Sequence, residues 1–406
     1  MNVIFIEPSF PYNQREFVRA LSAAGANVIG VGERPAETLG AEMRGWLDDY
    51  LQIRSVVHEP SLLQAVRAVQ EKVSVDRLEA TVEAHIMAAA TVREAAGIPG
   101  TSAATAYLCR DKPAMKEALR RAGVPCAQST RARSPQDAWD FAEGIGFPLI
   151  VKPPAGAGAS GTWRVRNGGE LERVIQESGL ADGKAVAIEE FIEGHEGFLD
   201  TLTIGGKIVH EFITHYYPNV LEAMRERWIS PQMVTTNRID APGYDEVREM
   251  ARRVIAILDI GTSATHMEWF FGPKGLKFSE IGCRPPGVGQ WDVYNTANDF
   301  DLYFEWACAI VHGRAHQKPS RRYAAGMIAL RPERDGIISG YSGVDEMCRR
   351  YGDCIVAAHF PVRGTATQPV EDGYMANAWM RLRHPDYDRL REIMDEIGQT
   401  VRVHVA

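Results

Sequence analysis

With 406 residues, 45% hydrophobic and 24% charged, the chain has an ordinary globular composition and is too long for one compact core, so two or three units sharing interfaces are expected. Its 45 Lys and Arg against 53 Asp and Glu leave a net charge of -8, and the basic residues are scattered, which disfavours a nucleic-acid partner. No apolar run approaches the roughly 18 residues of a membrane span, and the opening "MNVIFIEPSF" has no basic n-region, so no membrane partner and a cytoplasmic location are expected.

The first hundred residues alternate short apolar strands with helical patterns, the pattern of an α/β unit with a parallel sheet. "NVIFIEP" reads as a strand, "YNQREFVRALSAAG" as a helix closed by Gly25, and "NVIGVGE" as the next strand. "LQIRSV", "PSLLQAVRAVQEK", "VDRLEATVE" and "HIMAAATVREAAG" repeat the cycle, giving a doubly wound domain. The first strand runs into "EPSFPYN" rather than G-x-G-x-x-G, so a dinucleotide-binding dehydrogenase is disfavoured.

Next come the helix "AYLCRDKPAMKEALRRAG", the strand "VPCAQSTRA", the helix "SPQDAWDFAEGIG" and the strand "FPLIVKPP", which opens a loop of Gly and Ala. Alternation in "AVAIEEFIEGHEGFLDTLTIGGKIVHEFITHYY", with a turn at Gly205 and Gly206, indicates an antiparallel sheet. A long helix, "YDEVREMARRVIAILDIG", precedes the paired strands "SATHMEWFFG" and "LKFSEIGCRPPG". The last hundred or so residues add a helix from Phe300 to His312, strands such as "CIVAAHFPV", the helix "YDRLREIMDEIG" and a terminal strand "TVRVHV". The six cysteines (Cys109, Cys126, Cys283, Cys308, Cys348, Cys354) form no C-x-x-C and read as free packing thiols; the histidines form no H-E-x-x-H.

Chemistry concentrates in five features in fixed order: Lys112 in "RDKPAMKEAL", Lys152 before the glycine loop, the acidic pair of "IEEFIEGHE", Glu268 in "HMEWFF", and Glu280 with Arg284 in "SEIGCRPPG". Together they resemble the ATP-grasp superfamily, over most of the chain from "REAAGIPGTS" to "EIGCRPPG". The resemblance implies an ATP-grasp fold of class α/β. Its expected units are an N-terminal doubly wound parallel-sheet domain (1–110), a small subdomain with a Gly-rich lid (111–188), a large subdomain with the metal site (189–315) and a C-terminal α+β cap (316–406).

Transfer of a γ-phosphoryl group demands cations, a backbone cradle and carboxylates for a divalent ion, and these residue types supply all three. By resemblance, Lys112 and Lys152 point at the phosphates of ATP, and the loop with Gly156, Gly158, Ser160 and Gly161 folds over them. Glu189 and Ile192 meet the adenine edge, and Glu196 meets the ribose. Glu268 and Glu280, on strands joined by "GPKG", can aim at one Mg2+ or Mn2+, because alternation places both on one face. Arg284 resembles the arginine that binds the acceptor carboxylate or acyl phosphate, so Arg284, Lys152 and Glu280 are the expected catalytic residues.

Where many members read E-x-N-x-R, this chain reads Glu280-Ile281-Gly282-Cys283-Arg284, without the side-chain amide. The implied activity is an ADP-forming ligase acting on a small carboxylate and a nucleophilic co-substrate. Biotin-carboxylase-like activation of bicarbonate ranks lower, because Arg284 is followed by "PPGVGQWD". A non-catalytic ATP-binding module is a third reading. Candidate acceptor residues are His215, Tyr216, Arg225 and Arg227, with others in "EPSFPYNQRE" and "GQWDVYNTAND". The resemblance also implies a homodimer, which no sequence feature establishes.

Overall fold

A computed structural model describes residues 1–155, 161–227, 229–369 and 377–406. The N-terminal sheet contains β1 (Asn2–Ile6), β2 (Asn27–Gly32), β3 (Asp49–Gln52) and β4 (Arg77–Glu79) in the order β3-β2-β1-β4, with every pairing parallel. Helices cover both faces: Ile4, Ile6, Ile29 and Val31 belong to one core, Val3, Phe5 and Val28 to another. Burial on both sides is why these strands read as near-continuous apolar runs. The order reverses between β1 and β4, so the C-terminal ends of these two strands flank a crevice where Glu7 and Glu83 emerge.

A smaller sheet holds β5 (Ser129–Ala132), β6 (Leu149–Lys152), β7 (Trp163–Val165) and β8 (Val186–Glu190) in the order β5-β8-β6-β7, all antiparallel. The helices Pro135–Ile145 and Gly168–Glu177 pack their apolar faces on it. Ser134 and Asp137 form a capping box at the first, and Asn167 caps the second by accepting from Glu170 N, so both helix starts are written locally.

The large sheet takes β9 (His195–Ile204), β10 (Lys207–Tyr217), β11 (Gln232–Thr235), β12 (Ser263–Gly272), β13 (Gly275–Gly282), β14 (Ala324–Leu330), β16 (Ile355–His359) and β17 (Ala378–His384). Its eight strands run β13-β12-β9-β10-β11-β14-β17-β16, so one sheet continues across residue 315. Strands β15 (Ile338–Ser342) and β18 (Arg402–Val405) form a separate antiparallel pair. The hairpin β9–β10 turns at Gly205 and Gly206, both with positive φ (54° and 78°), which glycine adopts without steric cost. Class and architecture agree with the sequence reading.

One face of the large sheet packs Leu199, Ile213, Met267 and Trp269 against the helix Asp245–Ile257. Beside them lies a buried polar chain: His195 Nε2 to His215 Nδ1 at 2.9 Å, and His215 Nε2 to Tyr244 Oη at 2.8 Å. Burial, helped by neighbouring His195 and Arg391, pushes the His215 pKa down to about 3. Since the unfolded chain protonates this histidine near its ordinary pKa of about 6.5, it binds more protons than the fold between those limits, and stability rises with pH there. Unfolding free energy measured against pH should therefore decline from about pH 6.5 towards about 3, and His215→Gln should remove about one proton from that slope.

Candidate functional site

Glu268 stands directly opposite Glu280 across β12 and β13, while Phe198 stands opposite Glu268 and Asp200 opposite His266 across β9 and β12. Cross-strand partners share a face and strand residues two apart do too, so Glu196, Asp200, His266, Glu268 and Glu280 all project from one side of the sheet. That is the side opposite the His195–His215 chain.

The lysines arrive from the small sheet and its preceding helix. Lys112 opens the helix Lys112–Arg121, which Asp111 caps by accepting from Ala114 N, and its own backbone N–H donates to Pro154 O at 3.0 Å, just beyond β6. Its Nζ lies 3.1 Å from Glu280 Oε2, and Lys152 Nζ lies 3.9 Å from the same oxygen and 2.9 Å from Glu189 Oε2. Lys116, one helical turn after Lys112, reaches Glu189 Oε2 at 2.6 Å. Cations and anions thus alternate: Lys112, Glu280, Lys152, Glu189, Lys116.

Burial makes this row strongly coupled. Desolvation would raise the Glu280 carboxyl, but Lys112 and Lys152 overcome it and hold the pKa at about 2. Burial dominates at Lys116 and lowers its pKa to about 8, against the opposing pull of Glu189. For Lys152 the balance tips the other way, and Glu189 and Glu280 raise it despite burial. Glu196 is pushed up to about 8 by burial, then by the nearby Glu268 carboxylate, although its Oε2 accepts from Val220 N at 2.7 Å. Asn219 closes the corner, its Oδ1 accepting from Glu196 N and its Nδ2 donating to Gly194 O.

Arg284 leaves the end of β13 and donates Nε to Glu83 Oε2 at 2.8 Å, on the loop following β4. A Cβ placed on Gly282 would lie 3.5 Å from that same oxygen, so the Glu83 carboxylate occupies the space where a side chain at 282 would extend. Cys283 and Cys109 are both buried free thiols, and each perturbs the other's titration, a packing environment.

The structure therefore brings together Lys112, Lys152, Glu189, Glu196, Glu268 and Glu280, with Ile192 buried on the segment between β8 and β9 and Arg284 at the N-terminal crevice. Gly161 is described, with φ 64°; Gly156, Gly158 and Ser160 lie outside the described residues. Of the acceptor candidates, His215 belongs to the far face, while Tyr216 packs beside Phe198 on the site's face. Arg225 donates to Thr162 O at 3.2 Å, next to β7, and Arg227 pairs with Asp335. Sequence reading missed Lys116, Asp200, His266 and Glu83, and took Tyr294 only as part of the acceptor stretch "GQWDVYNTAND". For Lys116 and His266 a signal existed: each is in phase with a chosen residue, four along a helix from Lys112 and two along a strand from Glu268.

Among the described residues no group of three or more His, Cys, Asp or Glu side chains is arranged to hold a metal by itself. Two opposed carboxylates, with the buried Glu196 carboxyl nearby, nevertheless suit a hard divalent ion that phosphate and water would help ligate. The donor set fits Mg2+.

Residues 117–298 match the family model described as the ATP-grasp domain. The chain carries an ATP-grasp domain. Its fold agrees: a solved L-amino acid ligase from Bacillus licheniformis superposes with a TM-score of 0.77 at 17% identity, covering 100% of this chain and 98% of that one. In sequence, the chain is 29% identical to an L-arginine-specific L-amino acid ligase of Bacillus subtilis over 53% of its own length and 52% of that protein. It is 26% identical to a formate-dependent phosphoribosylglycinamide formyltransferase of Synechocystis over 71% and 72% of the two chains. The matched region spans about half the length of the first curated relatives. Among the described residues, no helix is long and apolar enough to cross a membrane.

Proposed function

We propose that the chain is an ATP- and Mg2+-dependent, ADP-forming ligase that activates a small carboxylate, an amino acid among the candidates, as an acyl phosphate for attack by an amine. The observation that carries this reading is the register of β12 and β13, which sets Glu268 against Glu280 while Lys112 and Lys152 converge on Glu280. Similarity to an L-arginine-specific L-amino acid ligase and to a formate-dependent phosphoribosylglycinamide formyltransferase supports the same class.

In this reading Lys112 and Lys152 exchange part of their contact with Glu280 for phosphate oxygens, contacts worth roughly 1.5–3 kcal/mol each when charge-assisted. Glu189 Oε1 is buried with no hydrogen-bond partner in the described structure, which supports a role for it in accepting from the adenine amino group. Ile192 offers backbone groups at the same edge, and Glu196 accepts from the ribose. Glu268 and Glu280 would hold Mg2+, which when bound neutralises charge on the transferring phosphoryl group. A carboxylate oxygen of the acid attacks the γ-phosphorus and ADP leaves; the amine then attacks the acyl carbon and phosphate leaves with that oxygen. Arg284 stays paired with Glu83 until an anionic acid or acyl phosphate engages it. Expected partners are a small acid and an amine, and a homodimer remains part of the proposal.

The test is ADP release from ATP and Mg2+ with the full chain, against pooled amino acids and small carboxylic acids, each with and without amines. Release that depends on a particular acid supports the ligase. ATP binding without release from any pool would count against it.

A further inference from the structure

Behind Glu268 lies a polar chain that the proposed chemistry does not use. His266 Nδ1 is 2.7 Å from Asp200 Oδ1, and its Nε2 is 3.5 Å from Glu268 Oε1. Tyr294 donates its hydroxyl to the other Asp200 oxygen, Oδ2, so both carboxylate oxygens are engaged. Tyr294 in turn meets Thr214 Oγ1 at 3.5 Å, and Gln290 Nε2 donates to Thr214 and Thr235 at 3.1 and 3.0 Å. All of these side chains are buried or nearly so, and they come from β9, β10, β11, β12 and the helix Gln290–Asn298.

A buried ion pair and its hydrogen bonds are a poor means of stabilising a core, because apolar residues of equal volume often serve as well or better. This one has a direction, however. The tyrosine and the strand register fix Asp200; Asp200 accepts from Nδ1–H and so fixes the imidazole ring; the ring then presents its other nitrogen, Nε2, to a single oxygen of Glu268. The facing Glu280 is restrained by Lys112 and Lys152, but Glu268 receives no lysine at ion-pair distance among the described residues.

We propose that His266, oriented by Asp200 and Tyr294, is a positioning residue that fixes the rotamer of Glu268 so that its second oxygen faces the divalent ion. The inference rests on the reading of Glu268 and Glu280 as the metal carboxylates. Hydrogen-bonding partners of ligating groups orient them, and removing such a partner typically lowers metal affinity about 10–100-fold.

The experiment titrates Mn2+ into the ATP-loaded full chain and follows the bound ion by electron paramagnetic resonance, with ATP affinity in the absence of metal measured alongside. His266→Asn is too short to reach Glu268, whereas His266→Gln can still offer an N–H near the Nε2 position. The expected result is Mn2+ binding weakened about 10–100-fold in His266→Asn, partly restored in His266→Gln, with metal-free ATP affinity unchanged in both. Tyr294→Phe should weaken Mn2+ binding by less than His266→Asn. Mn2+ affinity equal to wild type in His266→Asn would overturn the inference, as would a parallel loss of metal-free ATP binding. Absence of any Mn2+ uptake by the wild-type protein with ATP would overturn the metal reading and this inference with it.

Discussion

Replacing Glu280 by glutamine is expected to lower acid-dependent ADP release by about 10²–10³-fold, the usual consequence of removing one group that stabilises charge in a transition state, or about 2.7–4 kcal/mol. Glutamine preserves shape and removes only the charge. Since Lys112 and Lys152 hold the Glu280 carboxyl at about 2, the wild-type group is ionised throughout the working pH range, and the deficit should not be recovered by raising pH. Nucleotide affinity without metal should change much less than turnover, because both lysines remain. Steady-state ADP release beside equilibrium ATP binding distinguishes the two effects. Turnover like that of the wild type in Glu280→Gln would remove Glu280 from the site's chemistry.

A second large effect is expected in stability. Glu189 is shared by two buried ammonium groups, Lys116 at 2.6 Å and Lys152 at 2.9 Å. Glu189→Gln leaves those cations with too little negative charge, and loss of one partner from a buried ionic cluster costs about 3–5 kcal/mol. Lys116 carries most of the deficit, since burial already lowers its pKa to about 8 and the variant must lower it further below the ordinary lysine value. In that variant the unfolded state binds more protons than the fold over the intervening window, so its stability must rise with pH as the buried ammonium deprotonates. Urea unfolding of Glu189→Gln at two pH values should show the larger loss at the lower one. Adding Lys116→Met, which removes the orphaned charge and fills the volume, should return part of the loss. Equal stability of Glu189→Gln and wild type at neutral pH would contradict the charge row described here.

The comparison of sequence with structure shows which physical signals survive in a linear string. Glu268 and Glu280 were legible because a hairpin is local: the "GPKG" turn and the period of two bring them to one face without distant information. Lys112 and Lys152 were legible through the resemblance and through the rarity of lysine in an apolar strand. Lys116 was equally local, one turn from Lys112, but a lysine in a charged helix carries no sign of burial on its own. His215 shows the converse, since alternation separates it from Tyr216 but does not say which face of the sheet is buried against a helix and which faces the lysines. The ion pair of Glu83 with Arg284 spans 201 positions and Tyr294 reaches Asp200 across 94, separations at which no local periodicity carries information. Only the packing of the N-terminal sheet and the helix Gln290–Asn298 on the rest of the molecule creates those contacts.

The central claim is that an acid is activated by transfer of a phosphoryl group to its carboxylate. The most direct measurement supplies the stimulating acid with 18O in its carboxylate, together with ATP, Mg2+ and the amine, and reads the label in the products by mass spectrometry. The account predicts that each phosphate released carries one 18O from the acid and that the other product of ATP is unlabelled ADP. Phosphate without label, or 18O appearing in AMP, would contradict it.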